Sequence, residues 1–243
     1  MYDERTVTRV LALVRAGLSD REVARRSGVH RTTVGAWRLG RTPMRRCVPC
    51  DICLGRPPSF PGSAYAYVLG LYLGDGYISS LPRTYRMRVF LDSSYPMIVS
   101  ACACALEDVC PGKVARVGAH GSGACEVGMY WNHWPCAFPQ HGPGRKHERE
   151  IRLEAWQQRL VAGQERQLVR GLIHSDGCRV VANDRGVASV RYHFSNRSED
   201  IKSIYCESLD TLGIDWTRPS EKDIAVYRKA SVAIMDEFVG PKR

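Results

Sequence analysis

Gly70-Leu71-Tyr72-Leu73-Gly74-Asp75-Gly76 and Gly171-Leu172-Ile173-His174-Ser175-Asp176-Gly177 share one pattern: small, apolar, apolar, variable, small, Asp, Gly. Small residues four apart lie on one helix face and let a second backbone approach closely, and Gly70 with Gly74, like Gly171 with Ser175, has that spacing. Gly76 and Gly177 are predicted to close the two helices in the left-handed conformation that glycine adopts without steric cost. An aspartate then stands at the C-terminal end of each helix, where the helix dipole disfavours an anion by a few tenths to about 1 kcal/mol. Two such helices packed side by side bring the carboxylates together, and their repulsion calls for cations. Mg²⁺ suits the site, because it is held by few carboxylates and completed by water and phosphate oxygens. Metals placed this way act on both the attacking and the leaving oxygen of a phosphodiester.

Working outward, the same order of elements recurs around each motif. AYAYVLGLYLGDG (helix), MRVFLDS (strand), PMIVSACACALEDV (helix), KVARVG and ACEVGMYW (strands) match RQLVRGLIHSDG, VRYHFSN, SEDIKSIYCESLDTLG, DWTRPS and DIAVYRKA. Each half also ends alike, in Gly142-Pro143-Gly144-Arg145-Lys146 and in Gly240-Pro241-Lys242-Arg243. The halves are predicted over residues 64–160 and 161–243.

Motifs reading LGLYLGDG and RGLIHSDG, inside two αββαββ halves, resemble the LAGLIDADG homing endonuclease family over residues 64–243. The resemblance implies an α+β fold, a single-chain pseudo-dimer whose two curved antiparallel sheets saddle duplex DNA while the motif helices form the central interface. It further implies that Asp75 and Asp176 are the metal ligands, since they occupy the late acidic position of each motif. The earlier acidic position is Leu73 in one half and His174 in the other, a departure at a place that is not the essential ligand. The family's lysine near the metals maps onto Lys146 and Lys242, the matching positions that close each half. Its water-ordering polar residue falls near Ser93 and Asn196. In the connection between halves, His141 and His147 flank Lys146 and are candidates for the neighbourhood of the scissile phosphate.

Residues 1–45 carry a different signal. Residues 1–60 hold 12 Arg and no Lys against 5 acidic residues, a net +7 of the chain's +10. Arginine pairs with phosphate through its planar fork, so this arm points to a nucleic acid partner. Val7, Val10, Leu11, Val14 and Leu18 make one helical face. Ser19 is predicted to cap a second helix with Glu22 as in a capping box, Gly28 to turn the chain, and a third helix to run from about His30 to Leu39. DREVARRSGVHRTTVGAW resembles the helix-turn-helix of resolvases and bacterial repressors over about residues 6–42, a small all-α domain ahead of the core. In that geometry the second helix of the motif enters the major groove, so His30, Arg31, Thr32, Thr33 and Arg38 face DNA, with Arg31 the first choice for a base. In the core, Arg83, Arg86, Arg88, Arg179, Arg185, Arg191 and His193 alternate with apolar neighbours, as a sheet with one buried face requires. Arg86, Arg88, Arg191, His193 and Asn196 are the candidate DNA contacts there.

Residues 46–63 read as a Cys- and Pro-rich linker. Cys47, Cys50 and Cys53 form C-x2-C-x2-C, the first pair having the spacing of a zinc knuckle. A closed tetrahedral site needs a fourth ligand, for which Asp51, His133, Cys136 and His141 are candidates, and a Cys-rich linker without metal is the competing reading.

The longest apolar run falls short of the roughly 18 residues a membrane span needs, and MYDERTVTRV carries charges where a secretory signal would be apolar. Expected on these grounds is a cytoplasmic, monomeric protein that binds double-stranded DNA, cleaves it with Mg²⁺ as an endonuclease, and carries Zn²⁺ as a candidate second metal. Its rival is a transcription regulator that keeps the core for binding alone.

Overall fold

The computed structural model describes Tyr2 and residues 4–41, 50–121, 123–184 and 186–242. The chain divides into two compact units, Met1–Val48 and Pro49–Arg243. The described part of the first is α1 (Glu4–Arg15), α2 (Asp20–Ser27) and α3 (Arg31–Arg38). Ser19 accepts a hydrogen bond from the Glu22 amide at 3.4 Å, satisfying one of the free donors at the start of α2, and Gly28 ends that helix at φ 72°. The three helices meet on Val7, Val10, Val23, Val29, Val34 and Trp37, all buried. Glu22 turns its carboxylate forward to Arg25 and Arg26, at 2.5 and 2.7 Å.

In the second unit, α4 (Gly62–Leu73) is followed by β1 (Gly76–Ser80), β2 (Tyr85–Asp92), α5 (Pro96–Val109), β3 (Arg116–Ala119), β4 (Ala124–Tyr130) and the short α6 (Trp134–Ala137). After α7 (Ala155–Val161) come α8 (Glu165–Asp176), β5 (Gly177–Asp184), β6 (Val187–Ser195), α9 (Glu199–Thr211), β7 (Asp223–Val226) and α10 (Lys229–Phe238). This is a mixed α+β architecture with two antiparallel sheets, ordered β1-β2-β4-β3 and β5-β6-β7. Met87, Val89 and Leu91 of β2 are buried while Arg86, Arg88 and Phe90 alternate with them on the other face. No described helix is long and apolar enough to cross a membrane.

The second half departs from the expected αββαββ order. DWTRPS forms no strand and contributes one isolated bridge, Thr217 to Ala225. Pro219 has no N–H to give a ladder, and its neighbours make a turn instead: the Ser220 hydroxyl bonds Asp223 at 2.6 Å and Arg218 holds Glu199.

Helices α4 and α8 form the centre. A helix apolar all round belongs in a core, and every residue of α4 from Ala64 to Leu73 is buried. A methyl group added to Gly70 would lie 2.5 Å from the Leu168 carbonyl oxygen and 2.7 Å from the Leu172 nitrogen. One added to Gly171 would overlap the Tyr67 carbonyl and come within 3.0 Å of the Gly70 Cα. The two backbones therefore touch along this line.

Gly76 and Gly177 do not take the left-handed conformation expected of them. Gly177 is extended, at φ −114°, ψ 173°, and both residues open strands. Each is small for a steric reason: a Cβ on Gly76 would run into the Tyr72 backbone, and one on Gly177 would lie 2.8 Å from the Ile173 Cα and 3.0 Å from the His193 carbonyl.

Candidate functional site

Close helix apposition delivers the two aspartates to one place. A Cβ on Gly74 would sit 3.2 Å from the Asp176 carboxyl carbon, so this carboxyl lies over the residue that precedes Asp75. Burial raises the pKa of both acids. Asp176 is pushed up to about 6, by burial first and then by the charge of Asp75, against the opposing pull of Asn196, Lys146 and Lys242. Asp75 is raised by burial, with Lys146 and Lys242 acting against it.

The two lysines occupy equivalent stations. Lys146 donates to the carbonyls of Tyr72, Leu73 and Gly74, the last two at 3.1 and 2.5 Å, and so caps the end of α4. Lys242 donates to the His174 carbonyl near the end of α8 at 3.1 Å. An ammonium at a helix C-terminus offsets the dipole, and here it also faces the carboxylates through charge. Burial, the largest influence, brings Lys146 down to about 8 while Asp176 and Asp75 hold it up. Lys242 is lowered for the same first reason.

The site opens on two sides. A cleft of about 520 Å³ is lined by Asp176, Asn196, Lys146, His141, His147 and Tyr77 among others, and one of about 130 Å³ by Asp75, Asp92, Tyr95 and Lys242. Asn196 donates from Nδ2 to the Asp176 carboxylate at 2.6 Å and takes the Ser198 amide on its own oxygen at 2.8 Å, so the acid is oriented by a group that is itself fixed. Among the described residues no such amide serves Asp75. In the strand registers Gly76 faces Val89 and Gly177 faces Phe194, which makes Leu91 the counterpart of Asn196. Ser93, the expected counterpart, turns to the Gly123 carbonyl at 3.0 Å. His174 is buried against the Tyr67 hydroxyl at 2.8 Å, and burial lowers it to about 3, so it is neutral.

Arg149, unremarked in the sequence, shapes the Lys146 loop: its guanidinium bonds the carbonyls of Gly142, Pro143 and Gly144 at 2.8 to 3.2 Å. His141 lies 6.2 Å, ring to ring, from Tyr85. His147 stands 3.8 Å from Glu148.

Of the arginines expected to face nucleic acid, Arg86 and Arg88 share the buried Glu126 at 2.5 and 2.6 Å, and their guanidinium groups lie over Tyr130 and Phe90. Arg191 lies over the Tyr227 ring, which also meets His193, and Arg179 is bound to Asp236 at 2.8 Å. In the first unit, His30, Arg31 and Thr32 are exposed and Thr33 is half-buried. His30 Nδ1 lies 2.8 Å from the Thr32 hydroxyl. Arg38 is instead committed within its own unit, to Asp20 at 2.7 Å and the Leu18 carbonyl at 2.5 Å, so it joins α3 to α2. Cys47 and Arg185 lie outside the described residues. Cys50 and Cys53 come together with His133 and Cys136.

Neither a family model nor a curated protein matches this sequence. Among solved structures, mesophilic variants of the homing endonuclease I-DmoI are similar at 14% identity over 73% of this chain and 96% of that one, TM-score 0.48. The homing endonuclease I-WcaI bound to its DNA recognition sequence is similar at 11% identity over 74% and 82%, TM-score 0.48. Full-length DUF199/WhiA from Thermatoga maritima follows at 12% identity over 78% and 59%, TM-score 0.47. All three scores lie below 0.5, so function has to be argued from this chain's own side chains.

Proposed function

We propose that the chain is a divalent-metal-dependent, site-specific endonuclease acting on double-stranded DNA, as one chain with a pseudo-two-fold core. The observation that carries this reading is the convergence of two half-buried carboxyls, Asp75 and Asp176, at the ends of touching helices, with Lys146 and Lys242 beside them. The donor set fits a hard cation such as Mg²⁺. Both acids are pushed toward protonation, first by burial and for Asp176 also by the charge of Asp75, and a bound cation would favour their ionised forms. When bound, the metal supplies Lewis-acid stabilisation of the phosphodiester oxygens and a more acidic water.

The protein's part is positional and electrostatic. Asp75 and Asp176 would hold the cation, and Asn196 fixes the Asp176 carboxylate. Lys146 and Lys242, anchored on helix carbonyls, present positive charge to a phosphate that gains negative charge during displacement. Arg149 holds the loop from which Lys146 projects. Arg86, Arg88, Arg191 and His193 track the DNA backbone from the open faces of the sheets; Glu126 neutralises one of its two arginines and fixes the direction of both. Residues 64–160 and 161–243 are the two halves of this core, and residues 1–45 are a helix-turn-helix with Arg31, Thr32, Thr33 and His30 toward the groove.

Incubating the protein with a library of duplexes and Mg²⁺, then sequencing the ends, will recover recurrent cuts in one target; a well-folded sample that yields none contradicts the proposal. Deleting residues 1–45 will weaken DNA binding and flatten its dependence on salt, because fewer counterions are displaced. Affinity measured from 50 to 200 mM salt checks this, and an unchanged slope would place the arm off the DNA.

A further inference from the structure

A second cluster of metal-binding side chains lies apart from the two aspartates. Cys50 precedes a tight turn and Cys53 lies within it: Ile52–Leu54 is one turn of 3₁₀ helix, the Leu54 amide bonds the Cys50 and Asp51 carbonyls at 3.1 and 3.0 Å, and Gly55 closes the turn at φ 70°. His133 and Cys136 flank the first turn of α6, where the Cys136 amide bonds the His133 carbonyl at 3.0 Å. Residues three apart in such turns project to one side, so each pair presents two donor atoms in one direction. The two pairs face each other across 80 or more residues of sequence.

The four donor atoms lie within 4.8 Å of one another. Cys53 Sγ is 3.4 Å from Cys50 Sγ, 3.3 Å from Cys136 Sγ and 3.8 Å from His133 Nδ1, and Cys136 Sγ is 3.9 Å from that nitrogen. A tetrahedral zinc ion bonds sulfur at about 2.3 Å and nitrogen at about 2.0–2.1 Å, which sets ligand-to-ligand edges of about 3.5–3.8 Å. These four edges, from 3.3 to 3.9 Å, bracket that value. All three cysteines are free thiols, and unlike Cys102, Cys110 and Cys125, which are buried, Cys50, Cys53 and Cys136 keep some exposure. Packing alone therefore does not account for their convergence.

We propose that Cys50, Cys53, Cys136 and Nδ1 of His133 form a closed tetrahedral site for one zinc ion. On binding, each of the three thiols releases its proton to solvent and the imidazole binds neutral, so the loaded site carries one net negative charge. Four protein ligands leave no open position, which makes the ion structural. It fastens the segment ahead of α4 to α6, and α6 in turn supports the motif helix: the Ala137 carbonyl accepts the Tyr65 hydroxyl at 2.7 Å, and Phe138 packs against Tyr65 and Tyr72. This site rests on geometry separate from the nuclease reading and stands whether or not DNA is cut.

Metal analysis of the tag-free full chain, purified without chelator, will find about one zinc per chain. Cobalt(II) taking its place will show the intense sulfur-to-metal absorption of a tetrahedral thiolate site. Cys53→Ser and Cys136→Ser will each lose most of the zinc, while Cys104→Ser, an exposed cysteine elsewhere, will keep it. Should the serine variants fold poorly, the unmodified chain gives the same answer: a strong chelator will release about one zinc, expose three additional thiols to a thiol reagent, and lower the melting temperature by roughly 10 °C or more. Less than about a tenth of an equivalent of metal in the folded chain, zinc undiminished in folded Cys53→Ser and Cys136→Ser, or release of zinc with no newly reactive thiols would each overturn the assignment.

Discussion

Asp75→Asn and Asp176→Asn will each abolish cleavage, leave duplex binding in place, and make the metal-free protein more stable. The loss follows from removing a cation ligand: if the metal contributes about 4 kcal/mol to the transition state, the rate falls about 10³-fold. The gain in stability follows from the electrostatics of the empty site. Asp176 has an ordinary carboxylate pKa of 3.8 when unfolded and about 6 when folded, with burial as the largest cause. Because the folded value is the higher, the folded state binds more protons between about pH 4 and 6, and stability falls as pH rises through that window. Above it, the ionised Asp176 destabilises the fold by something on the order of 3 kcal/mol. Asparagine has the same shape and no charge, so the variant escapes this slope.

Thermal melts in chelator at pH 4, 5, 6 and 7 check the point: the native chain should fall behind Asp176→Asn as pH rises, and saturating Mg²⁺ should close the gap. The same linkage requires metal affinity to drop below about pH 6, where protons compete for the carboxylate. A DNA-binding regulator with no use for the cation would bind its target equally well with either residue and would never cut it, so the pair of variants separates the two functions.

Gly70→Ala and Gly171→Ala will destabilise the core by roughly 3 kcal/mol each. In both cases the added methyl meets backbone, the Leu168 carbonyl and Leu172 nitrogen for Gly70, the Tyr67 carbonyl for Gly171. Backbone cannot rotate aside as a side chain does, so α4 and α8 have to separate. Cleavage should suffer beyond the loss of folded protein, since a displacement of about 1 Å at a reacting centre costs about 10²-fold. Calorimetry gives the first quantity and cleavage at 10 °C, where the variants remain folded, gives the second. Gly118→Ala is the control: it lies on an exposed strand with nothing within 4 Å of the added carbon, and should change neither.

The central helix pair was legible because its determinants are local. Spacing of Gly70 with Gly74 and of Gly171 with Ser175 is enough to place a close-approach face, and the aspartate that follows falls at the helix end whatever surrounds it. Lys146 and Lys242 were legible from the matching ends of the two halves. Features decided by strand register were not. Asn196 and Ser93 looked equivalent along the chain, yet the pairing of β1 with β2 and of β5 with β6 makes Leu91 the true counterpart. Gly76 and Gly177 looked like helix stops, and are small because Tyr72 and Ile173 stand over them.

The helix-turn-helix geometry placed Arg38 toward DNA, whereas Asp20, eighteen residues away, takes its guanidinium. Helices α7 and α10 carried no motif and went unread. His133 and Cys136 were only two among four possible fourth ligands for the cysteine turn, and folding brings in both.

The most direct trial of the metal site is anomalous scattering from crystals of the full chain soaked in Mn²⁺, a stand-in for Mg²⁺. Density about 2.1 Å from a carboxylate oxygen of Asp75 and of Asp176, lost in Asp75→Asn/Asp176→Asn crystals, is the expected result. Mn²⁺ bound elsewhere, or no density between α4 and α8 at saturating metal, would contradict the account.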